Sequence, residues 1–491
     1  ILFLYLLSLH GFAQDIDLIW SEKIPAKTKT NISILGSNGG QFYTTYVDRD
    51  DQLVGRIYDN NMSLIKEKNI DFDLQEDTKY SYKGAYFLKN SILHFVYQNN
   101  KRQKQTFLYG AFSDFQLNSV GKISVLNEVE DDKVVNFGLR SISPDSTKIL
   151  TYHEIKNKKK EPNVLVYRVY DSSLKSVINE GAASLPIKSK NYSTEEIRVD
   201  NLGNVFIMAE VFKEKREKVK GYADNFYKLI VFTKDKKVKE FDFDFPNNII
   251  DYIDIIPGEN NTFFCTGFLK ALKAKKSTAL VTDEMFFTTI DCETMKTSEM
   301  KIIKVPGLYP DKIKKAKDRI PYKIREIYKK SNGGYSIIAE QYKLVVSYNA
   351  KTGQTYYYYY YCDIAVIQTT SKNEVTSVTR MPKYQLNAEN PSLISTFKND
   401  KTYIIFEDIT SNLNAGGKKK TKRSTASLFS SGGKNSLFLL EVSEDGKMDK
   451  NIIYEYKDSK IKPNVQGSRE VKPGQILLNA RDQIGLFTIR S

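Results

Sequence analysis

Tryptophan occurs once in this chain, at Trp20, and cysteine and histidine occur three times each. These scarcities exclude several chemistries. No CxxC pair or Cys/His cluster has the spacing of a zinc site. The three cysteines, Cys265, Cys292 and Cys362, leave at least one thiol unpaired. Cys265 and Cys292 fall in one expected hairpin, but folding it about its tip offsets them by several residues. At about 3.3 Å per residue the gap exceeds disulfide reach, so all three read as buried free thiols. Apart from His10 near the N-terminus, only His94 and His153 remain, both in expected second strands of a repeat, where packing or surface placement explains them. There is no G-x-S-x-G of a serine hydrolase, no Walker A loop and no G-x-G-x-x-G. The S-x-D-x-G-x-x-W box of sialidases is missing as well. Carboxylates are plentiful, yet no pair stands out for acid–base work. Asp48-Arg49-Asp50-Asp51 and Glu128-Val129-Glu130-Asp131-Asp132 are candidate cation loops, but solvated turns explain them better. Neither a cofactor nor a metal is implied.

Long apolar runs are also lacking. The one at the N-terminus, Ile1 to Leu9, is too short to span a bilayer. It ends in Gly11-Phe12-Ala13, which matches a secretory h-region with cleavage after Ala13, although the usual Met and basic n-region are missing. We therefore expect residues 1–13 to be a truncated signal peptide and 14–491 a single domain; the alternative is a buried first strand. Residues 1–13 carry no Lys, Arg, Asp or Glu, so the remaining chain keeps the full net charge of +15. No cysteine near the cleavage site suggests lipidation.

What the chain does have is aromatic and β-branched residues in short runs. Its 32 tyrosines and 27 phenylalanines favour strands over helices. The stretch Ile142 to Val177, ISPDSTKILTYHEIKNKKKEPNVLVYRVYDSSLKSV, shows the unit: a turn, an alternating apolar run, a lysine-rich tip, a second run, a turn and a third run. Similar units begin near Ile32, Tyr82, Ile197, Ile253, Ile324 and Leu393, and a shorter one spans Ser468 to Arg490. A turn marker opens each second strand: Gly39-Gly40, Lys89-Asn90, Asp145-Ser146, Leu202-Gly203, Gly258-Glu259, Gly333-Gly334, Asn399-Asp400 and Pro473-Gly474. Their spacing, roughly 50 to 75 residues, is the scale of a four-stranded propeller blade. The expected fold is an all-β propeller of eight blades, with seven as the alternative. The short last unit lacks an outer strand, and Ile16 to Ile24 is a spare one; pairing the two closes the ring and removes an open edge. One helix is expected near Asp311 to Lys317.

Two resemblances follow from particular residues. Ser143-Pro144-Asp145-Ser146-Thr147-Lys148-Ile149 is similar to the S-P-D-G-x-x-I turn of TolB-like and peptidase-associated propellers, with Ser146 where glycine is usual. The second is sharpest in the sixth unit. AEQYKLVVSYNAKTGQTYYYYYYCDIAVI, followed by RMPKYQ, resembles an uncharacterised family of secreted bacterial propeller proteins that shows AEQYY, a tyrosine run ending in D-I, and I-P-K-x-Q. Here Cys362 replaces a small polar residue before Asp363, and Met381 precedes Pro382. That family brings no known activity.

Basic residues gather between the second and third strands of several units. They include Lys101, Arg102 and Lys104; Lys156 and Lys158, Lys159 and Lys160; Lys213, Lys215, Arg216, Lys218 and Lys220; Lys270, Lys273, Lys275 and Lys276; and Lys418, Lys419, Lys420, Lys422 and Arg423. In a propeller such tips point to one side of the disc, and a one-sided basic field attracts an anionic partner. Keeping edges soluble is the plainer role for such tips. The run Tyr356 to Tyr361 enters a third strand, where alternation puts three rings on each face. Tyr356, Tyr358 and Tyr360 are candidates for an exposed aromatic ladder with Tyr342 and Tyr348, the other half packing on a neighbouring blade. The Gly-, Ser- and Lys-rich stretch Asn414 to Asn435 reads as a flexible loop.

The sequence thus points to an exported binding or scaffold protein of the periplasm, outer-membrane surface or exterior. The implied partner is a protein or an anionic polysaccharide or lipopolysaccharide, rather than nucleic acid, bound as a monomer or within a larger assembly. The competing class is an enzyme acting on polysaccharide, which would need carboxylates or a metal converging at the centre of the disc.

Overall fold

The computed structural model describes residues 16–24, 32–72, 80–100, 104–130, 134–157, 161–185, 187–212, 225–245, 248–258, 260–272, 279–311, 313, 318–387, 393–413, 424–425, 435–457, 461, 463–480 and 482–490. Its strands form eight separate antiparallel sheets, each built on four strands laid side by side. Blade one is Ser33–Asn38, Gln41–Val47, Leu53–Tyr58 and Leu64–Asn69. Blades two to four follow the same plan from Tyr80–Phe87, Val134–Ile142 and Tyr192–Val199. Blade five, from Asn248–Pro257, has its outer strand broken into Lys296–Thr297 and Lys301–Lys304. Blade six, from Tyr322–Lys329, and blade seven, from Leu393–Lys398, precede the composite blade eight. The chain is an eight-bladed β-propeller.

Burial explains why the sheets stack radially. Middle strands such as Leu53–Tyr58 and Asn435–Val442 are buried at every position, whereas outer strands such as Leu64–Asn69 alternate toward solvent. A sheet buried on both faces needs a neighbour on each side. The core accordingly divides into eight apolar clusters, one at each junction between consecutive blades. The junction of blades eight and one, with Ile34, Phe42, Leu477 and Leu486, is packed like the others, so the ring is closed.

The closing strand is Ile16–Trp20, paired antiparallel with Ile484–Ile489, from Ile16 opposite Ile489 to Trp20 opposite Gly485. Beyond it, the Ser21 N–H donates to the Ile484 carbonyl (2.8 Å), and the Gln483 amide donates to the Ser21 carbonyl (2.6 Å). The Trp20 ring packs on Gly485, where a Cβ would come within 2.7 Å of the indole. The Ile16 to Ile24 segment thus supplies the missing outer strand, as its sequence suggests.

The expected turns begin every second strand, at Gln41, Ile92, Lys148, Val205, Thr262, Tyr335, Lys401 and Gln475. In the S-P-D-S turn, Ser146 adopts a φ of 59°, a conformation open to glycine at little steric cost. The Asp145 carboxylate accepts from the Ser143 hydroxyl (2.6 Å) and the Thr147 N–H (3.0 Å), which fixes the turn. The described residues include no α-helix, and no helix among them is long and apolar enough to cross a membrane. The helix expected near residues 311–317 lies largely outside the described residues, as do residues 1–13 and most of the Asn414 to Asn435 loop.

Candidate functional site

Blade six departs from the common plan. Its second and third strands, Tyr335–Asn349 and Gln354–Thr369, run to 15 and 16 residues and continue past the inner strand, which starts opposite Gln341. The excess is a two-stranded ribbon, paired from Tyr342 opposite Tyr361 out to Asn349 opposite Gln354. Gly353 closes its tip with a positive φ.

A buried charged cluster anchors the base. Glu340 accepts a hydrogen bond from Arg325 Nε (2.9 Å) and pairs with Lys383 Nζ, and the Glu340 and Lys383 side chains are both fully buried. Lys383 Nζ also donates to the Gln385 side-chain oxygen (3.3 Å), and its backbone N–H donates to Asp363 Oδ1 (3.3 Å). Arg380 stands 3.4 Å from Asp363. Burial pushes the Asp363 carboxyl up against the pull of Arg380. The buried Tyr361 ring receives both cations on its face, Arg325 at 5.5 Å and Lys383 at 5.9 Å. Lys323, whose ammonium burial and Arg325 depress, lies 4.5 Å over Tyr342.

The residues of the A-E-Q-Y, D-I and P-K-x-Q pattern are therefore this cluster: Glu340, Asp363, Lys383 and Gln385 meet around Tyr361. Sequence reading missed the ion pair. The signal was available in Ser336-Ile337-Ile338-Ala339-Glu340, where a carboxylate interrupts a strand that is otherwise buried.

Outward from the base the ribbon becomes aromatic and exposed. Tyr356 (41%), Tyr357 (57%), Tyr358 (38%) and Tyr348 (66%) are open to solvent, with Leu344 and Val346 beside them. Tyr360 is half-buried and stacks on Tyr384 with ring planes 10° apart. The expectation that one face packs while the other is exposed does not hold. Exposure changes along the ribbon instead: among the described residues no blade covers either face at Tyr356 to Tyr358, and cover begins at Tyr359.

The lysine tips fare differently. Lys158, Lys159, Lys160, Lys215, Arg216, Lys275, Lys276, Lys418, Lys419, Lys420 and Arg423 lie outside the described residues. Lys104 and Lys156 are exposed. Lys270 is no tip residue; it sits within Thr262–Leu272 and pairs with Asp251.

The axis of the disc holds a second set of groups. In seven of the eight inner strands, all but that of blade seven, a β-bulge interrupts the pairing, a device that re-aims side chains. Glu196, Asp254 and Glu326 each stand three residues before the end of their inner strand, in consecutive blades four, five and six. Arg198 pairs with Glu196. Burial raises the Glu196 and Asp254 carboxyls, and Arg198 opposes the rise in both. Glu326 keeps contact with solvent, yet partial desolvation, with Asp254 and Glu470 adding like charge, lifts its carboxyl to about 7. Arg140 and Arg469, on the inner strands of blades three and eight, donate to backbone carbonyls of an adjacent blade, Arg140 to Lys83 and Arg469 to Leu35 (2.8 Å). The mark of the three carboxylates in the sequence is an acid followed by isoleucine just ahead of the turn in three successive units.

The remaining candidates are structural. The Asp48 carboxylate accepts the N–H groups of Asp50 (2.9 Å) and Gln52 (2.8 Å) and serves its own turn. His94 bonds the Ser113 hydroxyl (2.8 Å), and burial lowers its pKa to about 3; His153 contacts Asn127 (2.9 Å), and burial lowers its pKa to about 4. Cys265, Cys292 and Cys362 are free and buried. Cys265 pairs with Thr288 while Cys292 lies one residue past Asp291, which pairs with Thr262, so the two are out of register. No group of three or more His, Cys, Asp and Glu among the described residues is placed to hold a metal ion.

No protein-family model matches the chain, and no curated protein does. Solved structures similar to it are of varied kinds. The β-propeller domain of the trilobed protease from Pyrococcus furiosus is 11% identical, with 88% of this chain and 98% of that one covered and a TM-score of 0.35. The BP39L lectin from Burkholderia pseudomallei is 8% identical, with 89% and 98% covered and a TM-score of 0.35. TolB from Acinetobacter baumannii is 10% identical, with 73% and 65% covered and a TM-score of 0.25. At these values the assignment of the chain as an eight-bladed propeller rests on its own blade pairing and its eight inter-blade clusters.

Proposed function

We propose that this chain is a non-enzymatic binding or scaffold protein, exported to the cell envelope or beyond, with the blade-six ribbon as its contact surface and an anionic partner. The observation that carries this reading is the exposure of Tyr348, Tyr356, Tyr357 and Tyr358 on a ribbon mounted on buried charges. Tyrosine gives large contact area at low entropic cost. From Gln341 to Cys362 the chain has no Asp or Glu and carries Lys343 and Lys351, within a total of +15. In the sequence, the basic stretches of blades two to five and seven lie between the second and third strands, as the ribbon does in blade six.

Retention on heparin- and lipopolysaccharide-coupled gels over a salt gradient tests the proposal. The variant Tyr356→Ser/Tyr357→Ser/Tyr358→Ser should elute well before the unmodified chain. Reversal of Lys158, Lys159, Lys160, Lys418, Lys419 and Lys420 to Glu should do the same, since salt-screened attraction carries the charged part. Reversal of Lys236, Lys237 and Lys447 should matter much less. Equal losses from both lysine sets would reduce the effect to net charge and end the idea of a one-sided surface.

A second reading, an enzyme acting on polysaccharide, has the inner-strand carboxyls in its favour. A carboxyl near pH 7 at Glu326 is a suitable proton donor, with Asp254 close enough to raise its pKa. Release of reducing ends from acidic polysaccharides, lost in Glu326→Gln, would support it; no release by the unmodified chain across such substrates would dismiss it.

A further inference from the structure

The ribbon offers more than rings. The Tyr342 N–H donates to the Pro321 carbonyl (3.0 Å), away from the third strand. Along a strand, the N–H and C=O of every second residue point to the same side. The register from Tyr342–Tyr361 to Asn349–Gln354 is unbroken, so the N–H and C=O groups of Leu344, Val346 and Tyr348 face the same way as those of Tyr342. Among the described residues no strand pairs with that edge beyond Tyr342. It contains no proline, and Lys343 is its one charge. Exposed edges are normally blunted by prolines, bulges or several charges.

We infer that this edge takes an extended segment of a partner polypeptide as an added strand. The segment presents β-branched or aromatic residues in register with Leu344, Val346 and Tyr348, and a carboxylate beside Lys343. The inference rests on the ribbon being the contact surface, and it adds the class of partner. An edge with paired donor and acceptor groups every second residue, roughly 6.6 Å apart, is matched by another backbone. Val346 shares a face with Tyr357, and Leu344 with Tyr359, so the partner's apolar residues would extend an apolar face that is now exposed. The other face carries Lys343 beside Tyr360, and the absence of Asp and Glu from Gln341 to Cys362 favours an acidic segment there. A second copy of this chain is disfavoured, since two molecules at +15 repel.

The test pans a display library of random twelve-residue peptides against the full chain and measures enriched, fluorescein-labelled peptides by anisotropy. Val346→Pro removes an outward N–H and spares the ladder to the third strand, because the Val346 N–H is not part of it. Enriched peptides should alternate apolar and polar residues, include Asp or Glu, and bind Val346→Pro at least about tenfold more weakly, a difference of about 1.4 kcal/mol. Should that variant distort the ribbon, methylating alternate amides of the peptide itself should abolish binding to the unmodified chain. No enrichment over a variant with residues 344–359 replaced by an Asn-Gly turn, which joins the paired Lys343 and Tyr360, overturns the inference. So do peptides indifferent to both Val346→Pro and amide methylation, and so does a dimer in sedimentation that Val346→Pro dissolves. If tyrosine-dependent retention on heparin persists while no peptide is enriched, the binding function stands and the added strand alone fails.

Discussion

At the base of the blade-six hairpin the side chains are charged and buried; a few rungs further out they are aromatic and open to water. Glu340 and Lys383 are fully enclosed, while Tyr357 and Tyr348 are more than half exposed. Globular domains ordinarily arrange these residue types the other way round. The contrast separates two tasks. Buried charges are a costly way to gain stability but hold one geometry, which suits a mount. Exposed tyrosines add little to folding, which leaves them free for contact.

The largest expected effect removes what the mount depends on, the closed ring. Deleting residues 16–24 exposes the Ile484–Ile489 edge and uncovers the cluster around Leu477 and Leu486. The truncated chain should aggregate and melt several degrees lower by calorimetry. A monomer with an unchanged Tm would show that closure lies elsewhere.

Next comes the mount itself. Glu340→Gln leaves the buried Lys383 and the half-buried Arg325 without their carboxylate and should cost about 3–5 kcal/mol in urea unfolding. Adding Lys383→Gln should recover part of that loss, because the two sites are coupled. A single-variant cost below about 1 kcal/mol would mean that the pair behaves as a surface ion pair and the mount is not rigidly held.

A smaller effect concerns the inner strand of blade six, with pH as the variable. The Glu326 pKa is raised in the folded chain from 4.5 to about 7. Between those values the folded state binds more protons than the unfolded, so this group makes stability fall as pH rises. The penalty is absent below the unfolded pKa and complete above the folded one. Glu326→Gln should flatten the decline in Tm between pH 4.5 and 7 while leaving the ribbon's binding intact. An unchanged slope would place the carboxyl in ordinary water.

The smallest effect is expected at the tip. Tyr356→Ser/Tyr357→Ser/Tyr358→Ser should shift stability by no more than about 0.5 kcal/mol per site, read in the same urea titration as Glu340→Gln. A loss comparable to that of the mount would erase the distinction between base and tip.

Much of the fold was legible because its signals are local. Gly39-Gly40, Gly333-Gly334 and Pro473-Gly474 bend the chain wherever they occur, and alternating apolar runs beside them become strands. The spare strand at Ile16 and the short final unit from Ser468 needed only counting. The candidate site was legible only in part. The tyrosine run was conspicuous, but alternation predicted a division between faces, and that assumes a blade on each side. Which rings are exposed depends on how far the hairpin outruns its neighbours, and no local pattern records that distance.

By itself, then, the sequence determined the repeat of blades, with eight favoured over seven, their turns, a spare N-terminal strand and the presence of an aromatic hairpin, because each follows from residues adjacent in the chain. Only the tertiary structure brought Glu340 to Lys383 across the blade, lined the axis with Glu196, Asp254 and Glu326, and left the edge at Leu344, Val346 and Tyr348 without a strand. Those outcomes depend on pairings between distant segments, where burial and register, rather than local preference, decide which groups meet.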